Sequence, residues 1–272
     1  MEFRLKSRSA DSLSSVHQFA GDELVDSEMY ERCMTDGYMS TLSFIKGAAE
    51  SIGLDIDTET MERWKRVCNA AYLIDDFLDT APDIETACTQ YEAGMEQAFQ
   101  VSGEALLDEE PPTPDADERL PSAILLLKNS VSTLPDNQLT SLKEAATAIG
   151  DITRRKTTCD NTADYTYLLK REAFHTSVLI AASTSQTVQQ QAQFPDFVQW
   201  CQHAMELGTL GDCAIDLKQD NEQQITAVKP SVKNIAKIAL QAYKPGRAMI
   251  HTVTQRRATI GSLVERSKFR RS

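Results

Sequence analysis

The sequence predicts an all-α protein, a single domain over residues 1–272 built as a bundle of antiparallel helices around a deep apolar cavity. Three observations carry that expectation. Apolar residues recur at helical spacing along most of the chain. Strand signals are scarce, with few alternating β-branched runs and no Asn-Gly hairpin turn. Successive helical stretches are joined by short connections, which makes neighbours antiparallel. With 272 residues, 41% of them hydrophobic and 25% charged, the chain can bury a sizeable core.

The elements follow in order. Residues 1–25 read as a flexible N-terminal arm, carrying some positive charge but no apolar stretch of the secretory kind. "SEMYERCMTDGYMSTLSFIKGAAESIG" is helical with a break near Gly37. "DTETMERWKRVCNAAYLIDDFLD" opens at a capping box, Asp57 or Thr58 followed by Thr60 or Glu62, and carries apolar Met61, Trp64, Cys68, Ala71 and Tyr72. "IETACTQYEAGMEQAFQVSGEALL" is the next helix, and residues 106–121 form an acidic, proline-rich loop. "SAILLLKNSVSTL", "NQLTSLKEAATAIGDITRRKT", "YTYLLKREAFHTSVLIAAST" and "FPDFVQWCQHAMELGTLGDCAIDLKQD" are helical. So is "SVKNIAKIALQAYKPGRAMIHTVTQRR", with an interruption at Pro245-Gly246, before a basic tail over residues 258–272.

Charge and cysteine usage exclude several classes. A net charge of −12 argues against nucleic acid as the main partner, because phosphate backbones attract basic surfaces. The 6 cysteines are scattered without a C-x-x-C pair, which fits reduced thiols in a cytoplasmic protein. No apolar run is long enough to make a transmembrane segment. From Asp75 to Glu118 there are acids but no Lys or Arg, whereas the stretch after Arg247 is basic. Both regions read as solvated surface, or as a basic tail covering an anionic ligand held near the acids.

Two carboxylate clusters point to chemistry. "AAYLIDDFLD" ends an apolar helix with Asp75, Asp76 and Asp79. Asp75 and Asp79 share a face at i, i+4, repel each other, and sit at a helix C-terminus where the macrodipole disfavours anions. A hard divalent cation with oxygen ligands would neutralise them. "LGTLGDCAIDLKQD" adds Asp212, Asp216 and Asp220, a stripe at i, i+4, i+8 after another apolar segment. If the two helices face one another across a bundle, the carboxylates form two walls around a set of divalent ions.

In these motifs the chain resembles the class I isoprenoid synthases: terpene cyclases, trans-prenyl diphosphate synthases and the squalene/phytoene synthase branch. "DDFLD" is similar to their first aspartate-rich motif, and "DCAIDLKQD" has the spacing of the cyclases' second motif, with Asp212, Asp216 and Asp220 at the ligand positions. The likeness extends over residues 30–260. It implies an isoprenoid synthase-like fold, three Mg²⁺ ions and a prenyl diphosphate substrate of geranyl, farnesyl or geranylgeranyl length. It further implies that Asp75 and Asp79 hold two ions with Asp76 in support, and that Asp212, Asp216 and Asp220 hold the third. Arg171, Lys218, Arg256 and Arg257 are the candidates for binding diphosphate. Cys68, Ala71 and Tyr72 on one helix, Cys201, Met205 and Gly208 on another, and Phe174 are the candidate pocket lining.

The second motif departs from the cyclase pattern, with Asp at both the Ser/Thr and the Glu positions and Gln219 where a lysine is usual. The implied activity is that of a terpene synthase, a carbon–oxygen lyase that ionises a prenyl diphosphate and cyclises or rearranges the cation. The alternative is a prenyltransferase of the squalene/phytoene type joining two diphosphates, whose repeated D-x-x-x-D is met by Asp75/Asp79 and Asp216/Asp220. A homodimer is compatible with either, and a helical bundle without turnover would have no need of both clusters.

Overall fold

A computed structural model describes residues 36–99 and 117–269. Among them are nine helices and no strand. They are α1 (Asp36–Ser51), α2 (Thr58–Asp79), α3 (Ile84–Ala98), α4 (Arg119–Val131), α5 (Asp136–Thr158), α6 (Thr162–Ala182), α7 (Gln186–Gln189), α8 (Phe194–Glu222) and α9 (Val232–Phe269). None is long and apolar enough to cross a membrane.

The helix ends have local causes. Gly53, at φ 80°, turns the chain after α1 in a left-handed conformation that a side chain would disfavour. Asp57 caps α2 by accepting a hydrogen bond from the Thr60 amide at 2.7 Å. Asp83 and Asn161 cap α3 and α6 in the same way. The break expected near Gly37 coincides with the start of α1, and the N-terminal arm lies outside the described residues.

Three differences from the sequence reading have physical reasons. The loop expected through residue 121 gives way to α4 at Arg119, because Pro121 falls in a first helical turn, where its missing N–H costs nothing. The helix α9 runs through Pro245 without interruption. Packing on both sides of the proline holds it: Ile235, Ile238 and Ala242 join one apolar cluster and Met249 another. Finally, α9 carries on through most of the expected basic tail, as far as Phe269.

The core forms three apolar clusters. The first joins α2, α3, α4 and α5 through residues such as Leu73, Phe77, Tyr91, Leu126 and Leu142. The second gathers α1, α7 and the first half of α8 around Trp64, with Ile45, Phe197 and Trp200. The third joins the second half of α8 to α9 through Leu210, Leu217 and Ile238. Helix α6 feeds all three, with Leu179 and Ala182 in the first, Ile180 in the second, and Tyr165 and Leu169 in the third. Its exposed residues, among them Asp164, Tyr167, Arg171 and Phe174, leave one side of the helix to solvent.

Candidate functional site

The two acidic helix ends come together. Helices α2 and α8 both pack on α6, and their last turns lie close enough for the carboxylates of one to act on those of the other. Asp79 on α2 and Asp220 on α8 lie in each other's field, and so do Asp75 and Asp220. Solvent reaches Asp75, but protein encloses the carboxyl on most sides. Desolvation and the nearby Asp79 push it up to about 7. Asp79 is raised to about 6, mainly by desolvation, with Asp220 among the charges that add to it. Asp220 is raised to about 6 by desolvation and then by Asp216. Asp212 is raised by desolvation and by Asp216. The carboxylates therefore run as a chain, from Asp212 through Asp216 and Asp220 to Asp79 and Asp75.

Asp76 is differently placed, as its 100° offset on the helix requires. Its carboxylate accepts from Arg119 Nη1 at 2.9 Å. The same nitrogen donates to the Asp76 carbonyl at 2.7 Å and to Thr80 Oγ1 at 2.6 Å. Arg119 also pairs with Asp117. This guanidinium adds a donor to a carbonyl that already accepts from the Thr80 amide and hydroxyl, and its positive charge suits the C-terminal end of α2. Asp76 thus joins α2 to α4, and among the described residues no arginine or lysine pairs in this way with Asp75 or Asp79.

Sequence reasoning missed two groups at the centre of the site. Lys156, in the last turn of α5, donates to both carboxylate oxygens of Glu172 on α6, at 2.7 and 2.9 Å. The side chains are 12% and 18% exposed, so the pair is shielded from solvent. Burial disfavours the Lys156 ammonium, but Glu172 more than compensates, and its pKa lies well above the ordinary lysine value, with Asp75 contributing. In turn Lys156 lowers the pKa values of Asp75, Asp79 and Asp220. The run Arg154-Arg155-Lys156 diverges as helical spacing dictates. Arg154 binds Glu85 and Glu92 on α3, Arg155 faces solvent near Asp151, and Lys156 turns inward. The available signal was an arginine pair followed by a lysine at a helix end, close before Glu172.

The basic residues expected at the site are distributed otherwise. Arg171 contacts His175 one turn along α6, at 3.2 Å. Lys218 stands 76% exposed and pairs with Glu222 at 3.7 Å, on the side of α8 away from the aspartate stripe. Arg256 and Arg257 lie along α9, and their side chains fall outside the described residues.

The expected pocket lining is partly gathered. Cys68 and Met205 pack against the cluster that contains Cys201, and burial pushes the Cys201 thiol above its ordinary value. Burial alone pushes the Cys68 thiol up to about 12. Ala71 and Tyr72 are half-buried, with Tyr72 against the first cluster. A Cβ on Gly208 would meet nothing within 4 Å, so this stretch of α8 faces open space. Phe174 is 41% exposed and lies edge-on to His175. A separate pocket of about 550 Å³, lined by Phe99, Leu139, Lys143, Thr147 and Asp151, includes none of the site residues.

All-oxygen donors on two helices, open to solvent and mutually repelling, have the chemistry that a hard divalent cation fits. They are gathered rather than preset: among the described residues, no three His, Cys, Asp or Glu side chains surround a common point at ligand distance. No protein-family model matches the chain, and no curated protein or solved structure is significantly similar to it.

Proposed function

We propose that the chain is a class I terpene synthase, acting with Mg²⁺ on a linear prenyl diphosphate and releasing diphosphate as the carbocation cyclises or rearranges. The observation that carries this reading is the meeting of Asp75 and Asp79 on α2 with Asp220 on α8, two acidic helix ends from distant parts of the sequence. Magnesium, when bound, supplies the positive charge that stabilises the departing diphosphate. Asp75, Asp79, Asp216 and Asp220 would hold the ions, and Asp76 would fix the end of α2 through Arg119. Cys68, Ala71, Tyr72 and Met205 would give the hydrocarbon chain a dry surface, and the aromatic ring of Tyr72 can face a cation.

The test is incubation of the purified protein with Mg²⁺ and geranyl, farnesyl or geranylgeranyl diphosphate, each alone, followed by analysis of hydrocarbon and alcohol products. One substrate giving a product supports the cyclase, and Asp75→Ala or Asp216→Ala should then lower turnover by orders of magnitude. Absence of product and of diphosphate release from all three, singly and in pairs, would sink the reading.

A second reading has one observation in its favour. On each wall the pair next to the meeting point is D-x-x-x-D, Asp75/Asp79 and Asp216/Asp220, while Asp212 lies one turn further back on α8, beside Asp216. That pattern suits a transferase joining two prenyl diphosphates, which would give product only when condensation of two substrate molecules is allowed.

A further inference from the structure

We infer that the Lys156 ammonium binds diphosphate in this site and that Glu172 positions it; the inference rests on the prenyl diphosphate reading above. Of Lys156, Arg171 and Lys218, only Lys156 has a charge that reaches carboxylates on both acidic helices. It acts on Asp75 and Asp79 of α2 and on Asp220 of α8. Arg171 is turned to His175 and Lys218 to Glu222. An ammonium has three N–H donors, and Glu172 takes two of them, at 2.7 and 2.9 Å. The third is left to donate.

The charge balance points the same way. Lys156 and Glu172 neutralise each other, so the pair adds no net charge and the aspartates still need added cations when they ionise. A polyanion that bridges cations on both walls must cross the space between α2 and α8, where the Lys156 charge is felt. The bidentate contact fixes the ammonium there, so it needs little reorganisation to meet an anionic oxygen. Glu172 comes from the middle of α6, the helix that feeds all three core clusters, and this gives the pair a rigid support.

The experiment is calorimetric titration with inorganic pyrophosphate in the presence of Mg²⁺, and with Mg²⁺ alone. Lys156→Met should weaken pyrophosphate binding roughly tenfold to a hundredfold, the loss of one charge-assisted hydrogen bond. Mg²⁺ alone should bind the variant as well as or better than the wild type, since a competing cation has gone. Lys156→Arg should recover part of the pyrophosphate affinity. Glu172→Gln should weaken binding in the wild type and add nothing in the Lys156→Met background, because Glu172 acts through the lysine. Lys156→Met leaves a shielded carboxylate unpartnered, so the Lys156→Met/Glu172→Gln double variant carries the test if the single variant does not fold. Unchanged pyrophosphate affinity in a folded Lys156 variant overturns the inference and leaves the enzyme reading standing. A wild-type protein that binds no pyrophosphate with Mg²⁺ overturns both.

Discussion

Asp75 shows why a carboxylate can be open to solvent and still resist ionisation. Protein surrounds it on most sides, Asp79 lies one turn away, and its pKa is pushed up to about 7 from an ordinary 3.8. A carboxylate raised in the native state contributes stability that is fully present below its unfolded value and is lost as pH rises through the folded value. The metal-free protein should therefore lose stability between about pH 4 and pH 7, where the unfolded chain has released this proton and the native state still holds it. Asp75→Asn keeps the shape and removes the charge. Its melting temperature in EDTA should exceed that of the wild type at pH 8, and the difference should shrink as pH falls towards about 4. Equal pH dependence in the two proteins would mean that the repulsion lies elsewhere. A steric prediction stands at Gly150, where an added Cβ would lie 2.7 Å from Tyr91 Cε1. That ring cannot move aside easily, because Tyr91 Oη donates to the Ala146 carbonyl at 2.7 Å within the core. Gly150→Ala should cost about 1–3 kcal/mol by overpacking, despite the better helix propensity of alanine, as a denaturant titration would show.

At the level of elements, apolar periodicity made most of the helices legible. The Asp57 cap and the apolar faces of α2 and α8 are local facts, set by residues three and four apart. What was not legible depended on contacts between distant segments. The continuity of α9 through Pro245 comes from packing, which propensity does not contain. The four-residue α7 is too short to show a period. Both aspartate clusters could be read as facing walls, but Lys156 and Glu172 could not be assigned, because each sits next to another charge in sequence and only the fold selects which turns inward. Lys218 shows the converse, since its place between two candidate ligands puts it on the opposite face of the helix. Trp64 shows how the elements are held in register. It is fully buried on α2, its Nε1 donates to the Ile180 carbonyl and to Thr184 Oγ1 at 3.1 Å, and its ring stacks on Phe197 of α8 at 5.2 Å. One side chain thereby ties α2 to α6 and α8, the three helices that carry Asp75, Glu172 and Asp220. Trp64→Ala should cost about 3–5 kcal/mol, measured by chemical denaturation. Trp64→Phe, which keeps most of the apolar volume, should cost less, and near-equal losses would show that the hydrogen bonds dominate.

Across the whole molecule, the acids occupy a boundary between two parts of the core. Asp75 and Asp79 adjoin the first cluster through Ile74, Phe77 and Leu78, and Asp220 follows Leu217 of the third. The Lys156–Glu172 pair links α5, which contributes to the first cluster, to α6, which contributes to both. Apolar packing on either side thus forces like charges together, in a chain whose net charge is already −12. The stability of that arrangement should depend on cations. A ligand that binds only the native state adds RT ln(1 + [L]/Kd), and a divalent ion must displace protons from Asp75, Asp79 and Asp220 to bind. Raised pKa values near 6 and 7 therefore predict weak Mg²⁺ stabilisation at pH 5.5 and stronger stabilisation at pH 8, with protons released on binding. Without metal, melting temperature should fall across that range; with millimolar Mg²⁺ the fall should flatten or reverse. Paired thermal melts in EDTA and in Mg²⁺ at the two pH values check this. Asp75→Asn/Asp220→Asn, which takes one carboxylate from each wall, should abolish the difference between the metal-free and Mg²⁺ curves. If the wild-type curves coincide at pH 8, the carboxylates are not a magnesium site and their repulsion is answered by Lys156 alone.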